Sequence, residues 1–215
     1  MPRLLVLRHA QSVWNASGVF QGWSDAPLSE LGEKQAAHAG RTLALLGVSP
    51  GLVASSDLAR ARSTAELIAV GTGYSGDLLV DEGLREQDLG DWNGRTRAEI
   101  EAIWPKAIAE RDRGRSLDVP GGESGEAFIE RSMAAVRRVA ASCLDTGAED
   151  AIAVSHGGVI VVVERALLLN GEERRHPNVS GWWLEVSGTP EAPELNPLEH
   201  VEMLAYGMEI VTGPA

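Results

Sequence analysis

The chain alternates short apolar runs with longer amphipathic stretches. Residues 3–7, in MPRLLVLRHA, are continuously apolar and too few for a helix, which fits a strand buried on both faces. LSELGEKQAAHAGRTLALLG places Ala36, Ala39, Leu43 and Leu46 at helical spacing, with Ser29 as N-cap and Gly47 as stop. GLVAS (51–55) predicts a second strand, and SDLARARSTAELIAVG a helix with Leu58, Ala61, Ala65 and Ile68 on one face. DLLVDEGLRE predicts a short strand and a loop. Residues 91–122 are charged and mix helix and loop signals, so they read as a mostly helical excursion from the sheet, a candidate lid. SGEAFIERSMAAVRRVAASCLDTG reads as a long amphipathic helix capped at Ser124. Phe128, Ser132, Ala135, Val139 and Cys143 recur along it at helical spacing, which assigns Cys143 to the core. DAIAVS (150–155) is a third buried strand, GGVIVVVERALLLNG a buried helix and GWWLEV a strand. The Pro-rich SGTPEAPELNPLEH reads as a surface loop, and the last residues as a short strand or tail.

Strands and helices in alternation imply an α/β fold: a three-layer α/β/α sandwich with a mostly parallel central sheet and a helical lid insertion. A chain of 215 residues, 44% hydrophobic, suits a single domain over 1–215 with a sizeable core. The formal net charge of -12 disfavours nucleic acid and anionic membrane as partners, so any site for an anion must be built locally. With Cys143 the single cysteine, neither an intramolecular disulfide nor a Cys-rich metal site can form, and a cytoplasmic location is expected. The N-terminal apolar run is too short for a signal peptide, and the longest one, GGVIVVVERALLLN, is interrupted by Glu164 and Arg165. Neither G-x-G-x-x-G nor G-x-x-x-x-G-K-[ST] occurs, which argues against dinucleotide and P-loop chemistry.

Three of the predicted strands end in reactive residues. The first runs into Arg8-His9, the second into Ser55-Ser56 with Arg60 one turn on, the third into Ser155-His156-Gly157-Gly158. Ligands of α/β sheets bind outside the carboxyl ends of the strands, so parallel neighbours would bring Arg8, His9, Arg60 and His156 to one crevice. Arg60 falls in the first turn of its helix, where the dipole favours anions, so an arginine there suggests an anion to bind. Such a basic cluster in an acidic chain suits a compact, multiply charged anion, and phosphate is the commonest.

In order, LRHAQSVWN, FQGWSDAPLSELGEKQA, SSDLARARSTAE, LREQDLGDWNG, PGGES and VSHGG resemble the successive motifs of the histidine phosphatase superfamily, phosphoglycerate mutase-like branch. The resemblance runs from residue 3 to about residue 186, with one departure: Ala10 stands where the commonest signature has glycine after Arg-His. It implies that His9 is the nucleophile and forms phosphohistidine, clamped by Arg8, Arg60 and His156, whose charges keep His9 neutral. It makes Glu86 the proton donor and acceptor, ahead of its sequence neighbours Glu82 and Asp88. Asn15, Gln21 and Gly22 match the loop lining the phosphate, Ser12 offers a further hydrogen bond, and the Gly157 N–H opens a helix where anions bind. No metal is implied. His38 reads as structural or exposed, and His176 and His200 as residues of polar loops.

The function implied is hydrolysis of a phosphomonoester, a small phosphorylated metabolite, through phosphohistidine. The compact interval from Glu86 to His156 and the VPGGES stretch favour a phosphatase over the alternative, a phosphoglycerate mutase dependent on 2,3-bisphosphoglycerate. Under the phosphatase reading no cofactor is needed. A non-catalytic phospholigand-binding module is the third option, disfavoured because every catalytic residue type is present. Lys106, Arg111, Arg113 and Arg115 of the lid offer contacts to a carboxylate or second phosphate, or simply a solvated helix face. Trp92, Trp104, Trp182 and Trp183 suit core packing better than a substrate wall. A homo-oligomer is compatible with the sequence.

Overall fold

A computed structural model describes residues 1–113, 118–168 and 176–205. Its strands are β1 (Arg3–Arg8), β2 (Leu52–Ser55), β3 (Leu79–Val80), β4 (Asp150–Ser155), β5 (Ser180–Thr189) and β6 (Ala192–Glu202). Its helices are α1 (Val13–Ala16), α2 (Glu30–Leu45), α3 (Ala59–Thr72), α4 (Arg97–Ile103), α5 (Pro105–Asp112), α6 (Gly125–Thr146) and α7 (Gly157–Leu168). The strands form one six-stranded sheet in the order β3-β2-β4-β1-β5-β6. β1 to β4 run parallel, while β5 and β6 add an antiparallel hairpin at one side.

Alternation along each strand builds two cores. Leu4 and Val6 of β1 face α6 and α7, together with Phe128, Val136, Val139, Cys143 and Ile160. Leu5 and Leu7 face α2 and α3, with Ala36, Leu43, Ala65 and Ile68. The fold is therefore a three-layer α/β/α arrangement around a mostly parallel sheet. The helix starts follow their caps: Ser29 Oγ accepts from Gly32 N at 3.0 Å and Ser124 Oγ from Ala127 N at 3.2 Å, each cap contributing about 1 kcal/mol. The excursion at 91–122 is helical through α4 and α5, which close a small apolar core of their own from Leu89, Trp92, Ile100, Ile108 and Val119. Arg115, a lid cation in the sequence reading, lies outside the described residues.

The stretch 187–200 corrects the expectation of a surface loop, because most of it is the edge strand β6. Proline is tolerated at an edge, and Pro197 sits at the register shift opposite Leu184, where the ladder is already interrupted. A largely exposed edge strand carries little apolar alternation, so the pattern did not announce it. Of the expected C-terminal strand or tail, residues 203–205 form a 3₁₀ turn and 206–215 lie outside the described residues. His200 is corrected too: it lies in β6, its ring edge to face with Trp182, centroids 5.3 Å apart. His176 does lie between elements, before β5, but is buried there.

Candidate active site

β2, β4 and β1 are adjacent and parallel, with Ser55 opposite Val154 and Arg8 opposite Ser155, so their carboxyl ends open on one side. Arg8, His9, Asn15, Gln21, Gly22, Arg60, Glu86 and Gly157 all line one cavity there, of about 320 Å³. His156 stands behind His9, ring centroids 5.1 Å apart and edge to face.

One contact of the His9 ring sets its tautomer. Nδ1 lies 2.7 Å from the Ala10 carbonyl oxygen, which can only accept, so Nδ1 carries the proton and Nε2 the free lone pair. Arg60 Nε donates to that Nε2 at 3.3 Å. Burial, then the charges of Arg60 and Arg8, hold His9 well below its ordinary pKa. The ring is thus a neutral, nucleophilic imidazole among cations. His156 is pushed well below its ordinary value by burial first, then by Arg60, His9 and Arg8. Neither of its ring nitrogens has a hydrogen-bond partner among the described residues, nor does the buried Arg8 Nε. Buried donors without partners are uncommon and are what an anion in this crevice would satisfy.

Arg60 is held in its buried setting: Nη1 donates to Ser24 O and Nη2 to Gly22 O, both at 2.8 Å, which leaves a second N–H on each Nη for a ligand. Burial pushes it down to about 10, with Glu86 and Asp25 opposing, so it stays charged at neutral pH. The α3 N-terminus that carries Arg60 is capped from elsewhere, Ala59 N donating to Asp25 Oδ1 at 2.7 Å. Gly22 is required because its φ is +47° and a Cβ would lie 2.2 Å from Asn93 Oδ1.

Glu86 is separated from its rivals by what each carboxylate touches. Glu86 lines the cavity and accepts from Gly158 N at 3.0 Å and Gln87 N at 2.9 Å. Asp88 Oδ1 instead accepts from Gly90 N and Asn93 Nδ2, holding a turn. Glu82 is 74% exposed and pairs with Arg85. The backbone of Glu86 is fixed as well, its carbonyl accepting from Trp23 Nε1 at 2.7 Å and Arg131 Nη2 at 3.2 Å.

Ser12 does not line the cavity. Its one hydroxyl proton goes to Gln21 Oε1 at 2.8 Å, while its oxygen accepts from Asn15 N at 3.0 Å as the N-cap of α1. Ser12 therefore orients Gln21 and Asn15. Asn15 Oδ1 accepts from Ser12 N, which leaves its amide nitrogen as the group available to a ligand. Among the tryptophans, Trp92, Trp182 and Trp183 are buried in the cores. Lys106 and Arg113 are exposed.

Three residues that the sequence left without a specific role meet the site. Arg111 of α5 lines the cavity and donates to Gln87 Oε1 at 2.9 Å; burial lowers its pKa. Asn178 Nδ2 donates to His9 O at 2.9 Å. His176 provides the carbonyl that accepts from Arg8 Nη1, and its ring pairs with the buried Glu164 at 2.7 Å. Of these only Arg111 carried a signal, as a cation in a charged excursion. Among the described residues, no group of three or more His, Cys, Asp or Glu is placed to hold a metal ion.

Residues 4–195 match the model of the histidine phosphatase superfamily, branch 1. The chain belongs to that superfamily. Within it, the chain is 40% identical to a glucosyl-3-phosphoglycerate phosphatase of Mycolicibacterium vanbaalenii, over 77% of this chain and 74% of that one. It is 43% identical to a 2,3-bisphosphoglycerate-dependent phosphoglycerate mutase of Methylobacterium sp., over 61% of this chain and 64% of that one. Among solved structures, a mycobacterial glucosyl-3-phosphoglycerate phosphatase in complex with VO3 superposes with a TM-score of 0.78. That match has 33% identity and covers 92% of this chain and 97% of the other. As a histidine phosphatase the chain is a phosphoryl-transfer enzyme, and its likeness to the phosphatases spans more of the chain than its likeness to the mutases.

Proposed function

We propose that this histidine phosphatase hydrolyses a small phosphomonoester in two steps through phosphohistidine at His9, with no cofactor. The observation that carries the reading is the unprotonated His9 Nε2 beside Arg60 and Arg8 in a cavity that Glu86 also lines. In the first step the Nε2 lone pair attacks phosphorus and the P–O bond to the alcohol breaks. Glu86 delivers a proton to the departing oxygen. The equatorial oxygens carry the negative charge, and Arg8, Arg60, His156 and the Gly157 N–H at the start of α7 are its donors. In the second step Glu86 takes a proton from water, the water oxygen attacks phosphorus, and the N–P bond breaks to release phosphate and free His9. Asn15 and Gln21 orient the phosphate through their amide groups.

Arg111 on the wall of the same cavity supports a substrate that bears a second anionic group. The carboxylated phosphoglycerate esters named for the similar phosphatases have that chemistry. The deciding experiment assays purified protein without added metal, with phosphate release from phosphomonoesters in one arm. The other arm follows 3- to 2-phosphoglycerate interconversion with and without 2,3-bisphosphoglycerate. Phosphate release alone supports the reading; bisphosphoglycerate-dependent interconversion with little release makes the chain a mutase. Replacing His9 with Ala removes turnover and acid-labile labelling while the thermal midpoint stays near that of the parent. Normal turnover in that variant would remove His9 from the mechanism.

A further inference from the structure

A second cavity, of about 380 Å³, adjoins the first between α6 and α7. Phe128, Ile129, Val161, Val162 and Ala166 give it apolar walls, and Arg165 stands among them. Two features join it to the catalytic cavity. Arg111 lines both. Glu86 lines the first and accepts from the N–H of Gly158, which lines the second. The seam therefore runs along Glu86, Gly158 and Arg111.

Building on the phosphatase reading above, we propose that this second cavity seats the alcohol portion of the substrate, and that the alcohol has an apolar body ending in a carboxylate. The leaving oxygen must lie at Glu86 to receive its proton, so the alcohol starts at the seam. From there the catalytic cavity offers an apolar wall of Val19, Phe20 and Leu89 on the phosphate side, and beyond the seam the second cavity offers open volume with apolar walls. Apart from its two arginines, the side chains lining it offer no hydrogen-bonding group. A polyhydroxyl body would lose its water there without replacement partners, whereas an alkyl or aryl body gains by leaving water. Ile129, 43% exposed at this wall, is an apolar surface that such a body would cover.

The charge at the end follows from Arg165. It lies seven residues beyond Gly158 on α7, about 10 Å along the helix axis, and four residues beyond Val161, on the same face. It makes no ion pair among the described residues of a chain with formal net charge -12. A last-turn arginine also suits the helix dipole, so the test must read substrate preference rather than stability.

The experiment measures kcat/KM for phosphate release by the full chain with four probes: p-nitrophenyl phosphate, ethyl phosphate, hexyl phosphate and 6-phosphonooxyhexanoate. The expected order rises at least about tenfold from ethyl to hexyl, and again from hexyl to the carboxylated probe. Ala166→Trp, which fills the cavity, brings the hexyl-to-ethyl ratio close to one. Arg165→Gln brings the carboxylate-to-hexyl ratio close to one. An enzyme that turns over p-nitrophenyl phosphate but shows flat ratios overturns the second cavity as a subsite and leaves the phosphatase reading standing. Ratios that survive both substitutions overturn it equally. No phosphate from any probe overturns the phosphatase reading and the subsite with it.

Discussion

At His9 one hydrogen bond decides which nitrogen can react. Because the Ala10 carbonyl claims the Nδ1 proton, Nε2 is unprotonated and turned to Arg60. A neutral nucleophile held below the ordinary histidine range keeps kcat/KM from falling as the pH drops through 6.5, where an unperturbed histidine would protonate. A pH profile from 5 to 8 checks this, provided the fold is intact across it. Glu86→Gln tests the proton transfer apart from binding. With an alkyl phosphate, kcat should drop by roughly 10²–10⁴. With p-nitrophenyl phosphate, whose leaving group departs without a proton, the first step should be nearly spared. Equal losses on single-turnover measurement with both substrates would make Glu86 a structural residue. Glu86 is also where the motif order and the fold agree most usefully. Three carboxylates within seven residues look alike as letters, and only their partners distinguish them.

At the scale of elements, the segment 176–179 clamps the end of β1. His176 O accepts from Arg8 Nη1, Asn178 Nδ2 donates to His9 O, and Val179 N donates to Arg8 O at 3.2 Å. Val179 is held at φ +52°, costly for a β-branched residue and maintained by these contacts. Glu164 ties the segment to α7, the helix whose first residue lines the cavity. Asn178→Ala should lower kcat at least about tenfold, the effect of a nucleophile displaced by a fraction of an ångström, with the thermal midpoint lowered only slightly. Comparing kcat with inorganic phosphate affinity separates misplacement of His9 from loss of the whole anion site. Gly158 makes a complementary case. A Cβ there would lie 2.1 Å from Glu86 Oε1, so Gly158→Ala should reproduce the leaving-group dependence of Glu86→Gln without removing the carboxylate. Unchanged alkyl phosphate kinetics would show that Glu86 has room to move.

For the whole molecule, buried neutral histidines tie the catalytic arrangement to stability. His9 and His156 both sit well below 6.5 in the folded state, burial being the largest cause for each. The unfolded chain binds their protons near pH 6.5 and the folded chain does not, so it is the unfolded state that gains as the pH falls. Stability is full above that pH and declines below it, towards the folded-state values, by up to roughly 1 kcal/mol per pH unit for each histidine. Urea midpoints between pH 7.5 and 5 measure the slope, and His9→Asn with His156→Asn should flatten it. Asp57, lowered first by its hydrogen bond to Arg85, adds acid sensitivity only below about its ordinary 3.8.

Periodicity and end signals were enough to locate most elements, because apolar alternation, serine caps and glycine stops act over a few residues. Motif order was enough to name the superfamily and to nominate His9, Arg8, Arg60, Glu86 and His156. Folding had to decide the rest, since it depends on neighbours distant along the chain. Ser12 looked like a phosphate donor until Gln21 was seen to take its only proton. His176 is a loop residue as read, but its burial against Glu164 of α7 could come only from the packed fold. The edge strand β6 was hidden because pairing with β5, not its own pattern, makes it a strand. The second cavity exists only because α6 and α7 pack side by side behind Glu86, and no local stretch of residues encodes a space between two helices.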